Sequence, residues 1–348
     1  MDIQIDERYM SRCLQLAALG CGNVSPNPMV GAVVVHNGKI IGEGFHRRCG
    51  QAHAEVNAIA SVQDASLLSE STLYVTLEPC SHWGKTPPCS KLILEKQIPR
   101  VVVGTTDPFY AVSGRGIRML REGGVDVKVG VLEKECLELN QAFFTAQNKM
   151  RPFVILKWAQ SADGYMDRVR TAQDAPVVIS NSINSMLVHK MRAETDAILV
   201  GTNTVLLDNP RLTVRKWDGK HPVRVFLDRN LRIPDSSSLL DGSTPTLVIT
   251  EKQGVKRDNV EYITLPFDSD FPGNMLRELM RHDIHSLLVE GGAQTLSTFI
   301  DSGLWDEARV ETGSMILHQG VTAPQLSGRL KESYQYGRSL VQYYVPKE

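Results

Sequence analysis

The stretch Gln51-Ala52-His53-Ala54-Glu55, together with Cys80 and Cys89, decides how the first half of this chain is organised. It supplies one imidazole and two thiols, which bind Zn²⁺ well and leave the fourth tetrahedral position to water. The metal lowers the pKa of that water, so that hydroxide is available near neutral pH. Glu55, two residues after His53, is then a proton carrier rather than a fourth ligand. The pattern therefore predicts a catalytic zinc site.

The spacing of the two cysteines departs from the common form of such a site. His53-x-Glu55 followed by Pro79-Cys80 resembles the H-x-E…P-C-x-x-C signature of zinc deaminases. Here the second cysteine lies nine positions after the first instead of three. The intervening loop contains Pro87-Pro88, and a loop of this length can still deliver Cys89 to the metal. For each residue alone, ordinary packing is the better explanation, whereas the four together favour the metal site.

Length and composition limit the classes of function. A chain of 348 residues fits two domains of ordinary size. The net charge of −1, with 22% charged residues, provides no field that would favour nucleic acid or an anionic membrane. The first residues lack the features of a secretory signal, and no apolar run reaches the length of a membrane span. Six cysteines without a disulfide-like pattern indicate reduced thiols, so we expect a cytoplasmic location.

The first half alternates helical and strand-like segments. Asp6 is predicted to cap a helix that runs to Leu19. Asn37-Gly38, between the apolar strand at 30–35 and its partner at 39–46, predicts a hairpin turn. Further helix and strand signals alternate to residue 147. This alternation predicts an α/β/α layer domain with helices on both faces of the sheet.

The second half shows the same alternation with continuous apolar strands. A short polar segment at 148–152 suits a linker, which predicts domains at 1–148 and 149–348. Apolar strands alternate with helices, one of them capped by Ser180, and this favours a mainly parallel sheet. No G-x-G-x-x-G motif is present. Gly291-Gly292 joins a strand to a helix start and could hold a phosphate on backbone N–H groups, although an ordinary turn explains two glycines equally well.

Three segments of the first half resemble a known family. They are Pro26-Asn27-Pro28-Met29-Val30-Gly31, His53-Ala54-Glu55-Val56 and Tyr74-Val75-Thr76-Leu77-Glu78-Pro79-Cys80-Ser81-His82-Trp83-Gly84-Lys85-Thr86-Pro87-Pro88-Cys89. They are similar to the deaminase half of the bifunctional riboflavin-biosynthesis deaminase/reductases. In that family the long cysteine spacer is usual, whereas nucleic-acid-editing relatives resemble the shorter form.

This resemblance implies a cytidine-deaminase-like domain with one zinc ion per chain, held by His53, Cys80 and Cys89, and Glu55 as the catalytic residue. The implied substrate is a small molecule, a diaminopyrimidinone carrying a ribosylamino 5′-phosphate. The implied substrate contacts are Asn27, His46, His82 and Lys85. His46 is explained about as well by a satisfied surface histidine, and Lys85 alone by a solvated loop. Cys49, close to His53 in sequence, is interpreted as a structural thiol.

Segments of the second half, at 151–164, 204–215 and 290–292, resemble the reductase half of the same family, whose fold is like that of dihydrofolate reductase. The resemblance implies NADPH as cofactor. The implied cofactor-binding residues are Ala159, Thr204, Asp208, Gly292, Ala293, Gln294, Thr295, Leu296 and Ser297. The implied substrate-binding residues are Arg192, Leu212, Arg215 and Glu290. For either arginine, a surface ion pair is an equally ordinary explanation.

One stretch departs from the reductase pattern. Where the family commonly has Ser-x-Trp-Ile-Thr, this chain has Pro176-Val177-Val178-Ile179-Ser180. A hydroxyl and an aromatic contact are therefore missing at Pro176 and Val178, which bears on the efficiency of the reductase.

Three hypotheses for the function remain at this point. The leading one is a bifunctional enzyme that deaminates and then reduces a riboflavin precursor, and the family implies a homodimer or homotetramer. The second is a zinc deaminase whose C-terminal half is a non-catalytic binding domain. The third, an editing deaminase that binds nucleic acid, is disfavoured by the near-neutral charge and the long cysteine spacer.

Overall fold

The computed structural model describes residues 3–81, 83, 87–107 and 114–347. The chain divides into two compact units, residues 1–150 and 151–348. Within the described ranges, no helix is long and apolar enough to cross a membrane.

The first unit is a five-stranded sheet, as far as the structure describes it, with helices on both faces. Its elements are α1 (Ile3–Ala18), β1 (Gly31–His36), β2 (Lys39–Phe45), α2 (Ala54–Ala60), β3 (Thr72–Leu77), α3 (Cys89–Glu95), β4 (Arg100–Thr105), α4 (Arg115–Glu122), β5 (Asp126–Val129), α5 (Glu133–Leu139) and α6 (Gln141–Lys149).

The sheet of the first unit has the order β2-β1-β3-β4-β5. It is antiparallel where β1 meets its two neighbours and parallel from β3 to β5. Apolar clusters on its two faces are covered by α2, α3 and α4 on one side and by α1 and α5 on the other. This is the predicted α/β/α layering.

Two local features place α2, the helix that begins directly after His53. The predicted hairpin turn forms because Asn37 and Gly38 both adopt positive φ, at 48° and 75°. In the return strand β2, a Cβ at Gly44 would collide with the backbone nitrogen of Ala58. Glycine is required there because α2 packs directly on the strand backbone.

Asp6 does not cap α1, contrary to the prediction. The helix begins at Ile3, and the Asp6 side chain is fully buried. Its carboxylate accepts hydrogen bonds from Tyr74 (2.8 Å) and Lys128 (2.7 Å) and pairs with Arg100 at 3.2 Å. Burial opposes ionisation, yet the hydrogen bonds from Lys128 and Tyr74 hold the pKa of Asp6 below its usual value. Asp6 therefore ties α1 to three strands, which a local capping rule could not anticipate.

The second unit has a larger sheet, with nine strands in the described residues. The order is β11-β10-β9-β8-β12-β6-β13-β16-β15. All pairings from β11 to β13 are parallel, and the two pairings of β16, with β13 and with β15, are antiparallel, so the prediction of a mainly parallel sheet is confirmed. The elements are β6 (Phe153–Gln160), β7 (Tyr165–Asp167), α7 (Ser182–Glu194), β8 (Ala197–Val200), α8 (Thr202–Asp208), β9 (Val223–Leu227), β10 (Thr246–Thr250), β11 (Val260–Thr264), α9 (Phe271–Arg281), β12 (Ser286–Gly291), α10 (Ala293–Asp301), β13 (Glu307–Thr312), β14 (Val321–Thr322), β15 (Gly328–Tyr336) and β16 (Ser339–Pro346).

The predicted cap of α7 is wrong by one residue. Asn181, not Ser180, is the N-cap, and its side chain accepts a hydrogen bond from the backbone of Asn184 at 2.8 Å. Ser180 instead donates to the buried carboxylate of Glu311 at 2.7 Å. Both residue types cap helices well, so only the position of Glu311 on β13 distinguishes them.

Replacing Asp6 with alanine tests the role of this carboxylate. We expect Asp6→Ala to lower the free energy of opening of the first unit by roughly 2–3 kcal/mol, because two cations lose a buried partner. Hydrogen exchange of backbone amides in β3 and β4 measures this opening without interference from the second unit. Glu7→Ala, which removes the neighbouring partly exposed acid, is the control. Unchanged protection in Asp6→Ala would contradict the assignment.

Candidate active sites

His53, Cys80 and Cys89 converge in the first unit. His53 precedes α2, Cys80 follows β3, and Cys89 is the first residue of α3. The His53 Nδ1 atom lies 3.6 Å from the Cys80 sulfur and 3.4 Å from the Cys89 sulfur. Ordinary zinc–sulfur and zinc–nitrogen bonds at a tetrahedral angle place such donors about 3.6 Å apart. The donor set therefore fits zinc in both chemistry and spacing.

One cysteine of the cluster is held in the form that binds metal. The hydrogen bond from Cys89, together with that from His53, holds the pKa of Cys80 well below its usual range. A thiolate is the form of cysteine that binds metal. Cys49 is exposed and is not a member of the cluster.

Glu55 lies in the first turn of α2, and its side chain is buried. Burial raises the pKa of Glu55 to about 7. A carboxyl group with a pKa near the working pH can both accept and release a proton, which is what a proton carrier must do.

A cavity of about 280 Å³ opens beside these residues. It is lined by Asn27, His46, His53, Glu55 and Cys80, so the structure brings together five of the residues predicted for the deaminase site. The predicted contacts His82 and Lys85 lie outside the described residues. The other residues that line the cavity are Pro28, Val30, Ala54, Leu77, Glu78, Asp107, Phe143 and Gln147.

Glu78 and Asp107 were not predicted as site residues, although a signal existed. Each follows one of two neighbouring parallel strands, β3 and β4, and the carboxyl ends of such strands commonly form sites. Phe143 and Gln147 lie on α6, where the sequence offers no comparable signal.

His46 and Asn27 contact each other, and the contact fixes the orientation of both side chains. His46 Nδ1 lies 3.1 Å from the carbonyl oxygen of Ala52, so this nitrogen must carry the proton. Burial lowers the pKa of His46, so its Nε2 atom is unprotonated and accepts from the Asn27 amide nitrogen at 3.1 Å. The side-chain oxygen of Asn27 is then left to accept a hydrogen bond from another group in the cavity. His46 is buried and is not a surface histidine.

In the second unit, three neighbouring parallel strands, β8, β12 and β6, end at the same edge. Gly201 follows β8, Gly292 follows β12, and Ala159 is close to the end of β6. Gly292 has a φ of 75°, and a Cβ there would lie 3.4 Å from the Thr204 hydroxyl and 3.6 Å from the Thr295 hydroxyl. The structure thus brings Thr204, Gly292 and Thr295 together at the start of α10.

The other predicted cofactor residues divide into two groups. Ala293, Gln294 and Ser297 lie on the accessible side of α10, whereas Leu296 is fully buried in the core, so its side chain cannot reach a ligand. Asp208 is exposed and pairs with Arg170.

Of the predicted substrate residues, Arg192 and Glu290 bind each other. Two nitrogens of the Arg192 guanidinium contact the two carboxylate oxygens of Glu290, each at 2.7 Å. Both side chains are largely buried, at 12% and 8% exposure. Leu212 has a φ of 56° and a buried side chain, so only its backbone can serve a ligand. Arg215 is exposed, with one nitrogen on the Thr213 hydroxyl at 3.1 Å.

Lys157 lies on β6, within the segment 151–164 that resembles the reductase family, but it was not predicted as a site residue. Burial lowers its pKa, with the nearby charges of Arg309 and Arg192 acting in the same direction and Glu290 opposing them. Its ammonium group forms no hydrogen bond with the described part of the chain. A half-buried lysine whose ammonium group has no hydrogen-bond partner among the described residues is a signal that only the folded structure provides.

Comparison with known proteins finds a matching family for each half of the chain. The family described as "Cytidine and deoxycytidylate deaminase zinc-binding region" matches residues 3–105, and the family "RibD C-terminal domain" matches residues 152–341. The riboflavin biosynthesis protein RibD of Aquifex aeolicus is 40% identical, over 97% of this chain and 96% of that protein. This chain belongs to the RibD family. RibD of Bacillus amyloliquefaciens is 39% identical, over 92% of this chain and 88% of its own length.

Solved RibD structures have the same fold. The deaminase/reductase of Thermotoga maritima, described as acting on diaminohydroxyphosphoribosylaminopyrimidine and 5-amino-6-(5-phosphoribosylamino)uracil, is 37% identical with a TM-score of 0.91 over 99% of both chains. RibD of Acinetobacter baumannii is 31% identical with a TM-score of 0.88 over the full length of both chains. Like other RibD proteins, this chain has a zinc-binding deaminase domain and a reductase domain of the NADPH-dependent type.

The assignment of Cys89 as a zinc ligand is testable by metal analysis. We expect Cys89→Ser to be purified with less than about a tenth of the zinc of the unaltered protein, because removing a thiolate donor weakens a three-ligand site strongly. Cys49→Ser removes the exposed thiol and should keep the full zinc content. Stoichiometric zinc in Cys89→Ser, or its loss in Cys49→Ser, would show that the ligands are assigned wrongly.

Proposed function

We propose that this chain catalyses two consecutive steps of riboflavin biosynthesis. In the first, a diaminopyrimidinone carrying a ribosylamino 5′-phosphate loses one amino group as ammonia. In the second, the ribosyl chain of the product is reduced with NADPH. The observation that carries the proposal is the three-donor cluster of His53, Cys80 and Cys89 with Glu55 beside it in one cavity. Membership of the RibD family supports the pairing with a reductase.

In the deamination, His53, Cys80 and Cys89 would hold the zinc. When bound, zinc makes hydroxide available at neutral pH by lowering the pKa of a coordinated water. Glu55 would take the proton of the attacking water and deliver it to the departing amino group. The carbon–nitrogen bond breaks, a carbonyl replaces the amine, and ammonia leaves. The pKa of Glu55, raised by burial, supports this role.

The contact between Asn27 and His46 supports a role in recognition of the base. His46 holds the Asn27 amide with its nitrogen turned to the imidazole. The Asn27 oxygen can then accept a hydrogen bond from an N–H group of the pyrimidine. In this proposal Asn27 contacts the base directly, and His46 fixes the orientation of the amide. His82 and Lys85 remain proposed contacts of the substrate.

In the reduction, a hydride would pass from NADPH to C1 of the opened ribose, and the protein would position the two molecules. We assign the cofactor phosphates to the edge formed by Gly292, Thr204 and the first turn of α10, because the backbone N–H groups of a helix start favour phosphate binding. Ala159 on β6 and Asp208 on α8 remain proposed contacts of the cofactor.

The pairing of Arg192 with Glu290 changes the proposed roles of the substrate residues. The fork of Arg192 is already engaged by the carboxylate, so we assign Arg192 to holding Glu290 in position. Arg215, whose guanidinium makes only one hydrogen bond with the described residues, is better placed to bind the substrate phosphate. Lys157 and Glu290 lie on neighbouring strands and offer a donor and an acceptor to the pyrimidine.

The setting of the enzyme also belongs to the proposal. We infer a cytoplasmic homodimer or homotetramer that acts on a small molecule and not on nucleic acid. The spacing of the six cysteines, which is not typical of a disulfide framework, and the net charge of −1 support this inference.

Product analysis tests the proposed function. Purified protein is incubated with the diaminopyrimidinone ribosyl phosphate, with and without NADPH, and products are identified by mass spectrometry. We expect ammonia and the deaminated compound in both cases, and the reduced compound only with NADPH. Glu55→Gln should keep its zinc yet deaminate at least about 100-fold more slowly, because a positioned proton carrier is worth this factor or more. Its reductase activity on the deaminated compound should be unchanged.

Glu95→Gln, an exposed carboxylate of the same unit, is the control for Glu55→Gln. Ammonia release without any NADPH-dependent product would contradict the bifunctional proposal and would favour a non-catalytic C-terminal domain. Full deaminase activity in Glu55→Gln would exclude Glu55 as the proton carrier.

A further inference from the structure

Glu78 is a buried carboxylate in the deaminase cavity that the zinc chemistry does not use. It follows β3 and precedes Pro79-Cys80, the segment that delivers one zinc donor. Its side chain is 4% exposed. A buried carboxylate must be compensated by hydrogen bonds or by a cation. Its partners therefore indicate what it does.

Among the described residues, the partners of the Glu78 carboxylate are backbone N–H groups on two other segments. One carboxylate oxygen accepts from Asp107 (3.3 Å) and Gly114 (2.9 Å). The other accepts from Gly116 (2.9 Å) and Ile117 (3.3 Å) in the first turn of α4. One side chain thus joins the end of β3, the cavity residue after β4 and the start of α4. The negative charge also lies favourably at a helix N-terminus.

A close backbone contact reinforces this junction. The first turn of α4 lies so near Pro79 that a Cβ at Gly116 would collide with the Pro79 carbonyl oxygen. Only glycine allows this approach. The start of α4 is therefore held against the Pro79-Cys80 segment both by the carboxylate and by direct backbone packing.

The four N–H donors leave Glu78 no capacity for chemistry. An ionised carboxylate offers about four acceptor positions, and here each oxygen already receives two donors. It cannot also bind a metal ion or carry a proton without giving up these bonds. Its role must therefore be positional.

The zinc donors and Asp107 are held by separate contacts. The Cys80 carbonyl oxygen is bound by the backbone nitrogen and the hydroxyl of Ser90, at 3.1 and 2.9 Å. His53 directly precedes α2 and Glu55 lies in its first turn, and α2 packs on the strand backbone at Gly44. None of these contacts involves Glu78. Asp107 lines the cavity, and Glu78 binds its backbone.

We propose that Glu78 is a positioning residue for the deamination, which fixes the cavity wall at Asp107 relative to the Cys80 segment and so sets the affinity for the substrate. This rests on the proposed deaminase function. Loss of Glu78 then weakens substrate binding, while the zinc site and the proton carrier keep their geometry. The Michaelis constant and the turnover number separate this role from a general loss of structure.

The test uses Glu78→Gln in the full-length zinc enzyme. The amide keeps the size of the side chain, but its nitrogen faces two N–H groups that it cannot accept from. We expect KM for the diaminopyrimidinone ribosyl phosphate to rise roughly 10- to 100-fold, because two buried N–H groups lose their acceptor. Turnover at saturation should stay within about threefold and the zinc content should be unchanged. Glu122→Gln, at the exposed end of the same helix α4, should match the unaltered protein.

The outcomes separate this inference from the proposed function. If the unaltered protein does not deaminate the compound, the proposed function fails. If it does and Glu78→Gln has an unchanged KM, or loses zinc or turnover instead, the positioning role is refuted. Glu78→Asp keeps the charge but withdraws it by one methylene, and it should show the same rise in KM. It decides by the same criteria if Glu78→Gln does not fold, and NADPH-dependent reduction of the deaminated compound reports on the fold of the second unit.

Discussion

The meeting of one imidazole nitrogen with two cysteine sulfurs, all within 4.8 Å, is the constraint on which the deaminase half depends. Three separate pieces of the fold must converge to produce it: the start of α2, the end of β3 and the start of α3. Each is held by a different device. Close packing at Gly44 places α2, parallel pairing with β4 places β3, and the Cys80 carbonyl bound by Ser90 fixes the segment that leads to α3. The long loop between the cysteines is compatible with this because it only has to return to the same strand end.

The second unit arranges its polar residues differently. They are spread along the ends of parallel strands instead of converging on one ion, because a reductase domain has to position a cofactor and a substrate next to each other. Gly292 lies beside the hydroxyls of Thr204 and Thr295. Lys157 and Glu290 lie on the neighbouring strands β6 and β12, and Arg192 on α7 pairs with Glu290. Because Arg192 is paired with Glu290, the phosphate contact proposed in this unit is the exposed Arg215.

Residues defined by local patterns were predictable from the sequence. His53, Glu55, Cys80 and Cys89 belong to a spaced motif, and Asn37-Gly38 to a turn type, so neither required knowledge of distant contacts. Asp6 and Ser180 were predicted as helix N-caps for the same local reasons. Both predictions were wrong because the two side chains form hydrogen bonds with residues far along the chain. The strands after residue 302 were not predicted because the edge strand β15 is exposed along most of its length and shows no alternation. Glu78 was not predicted as a site residue because the described partners of its carboxylate are backbone N–H groups. No pattern of side chains in the sequence reveals such contacts.

We expect the first unit to hold zinc with one nitrogen and two sulfur donors and to leave one position open. X-ray absorption at the zinc edge of the zinc-loaded protein measures this donor set. We expect two sulfur atoms at about 2.3 Å, with one nitrogen and one further light atom at about 2.0–2.1 Å. A shell with three or more sulfurs, or with one sulfur or none, would contradict it.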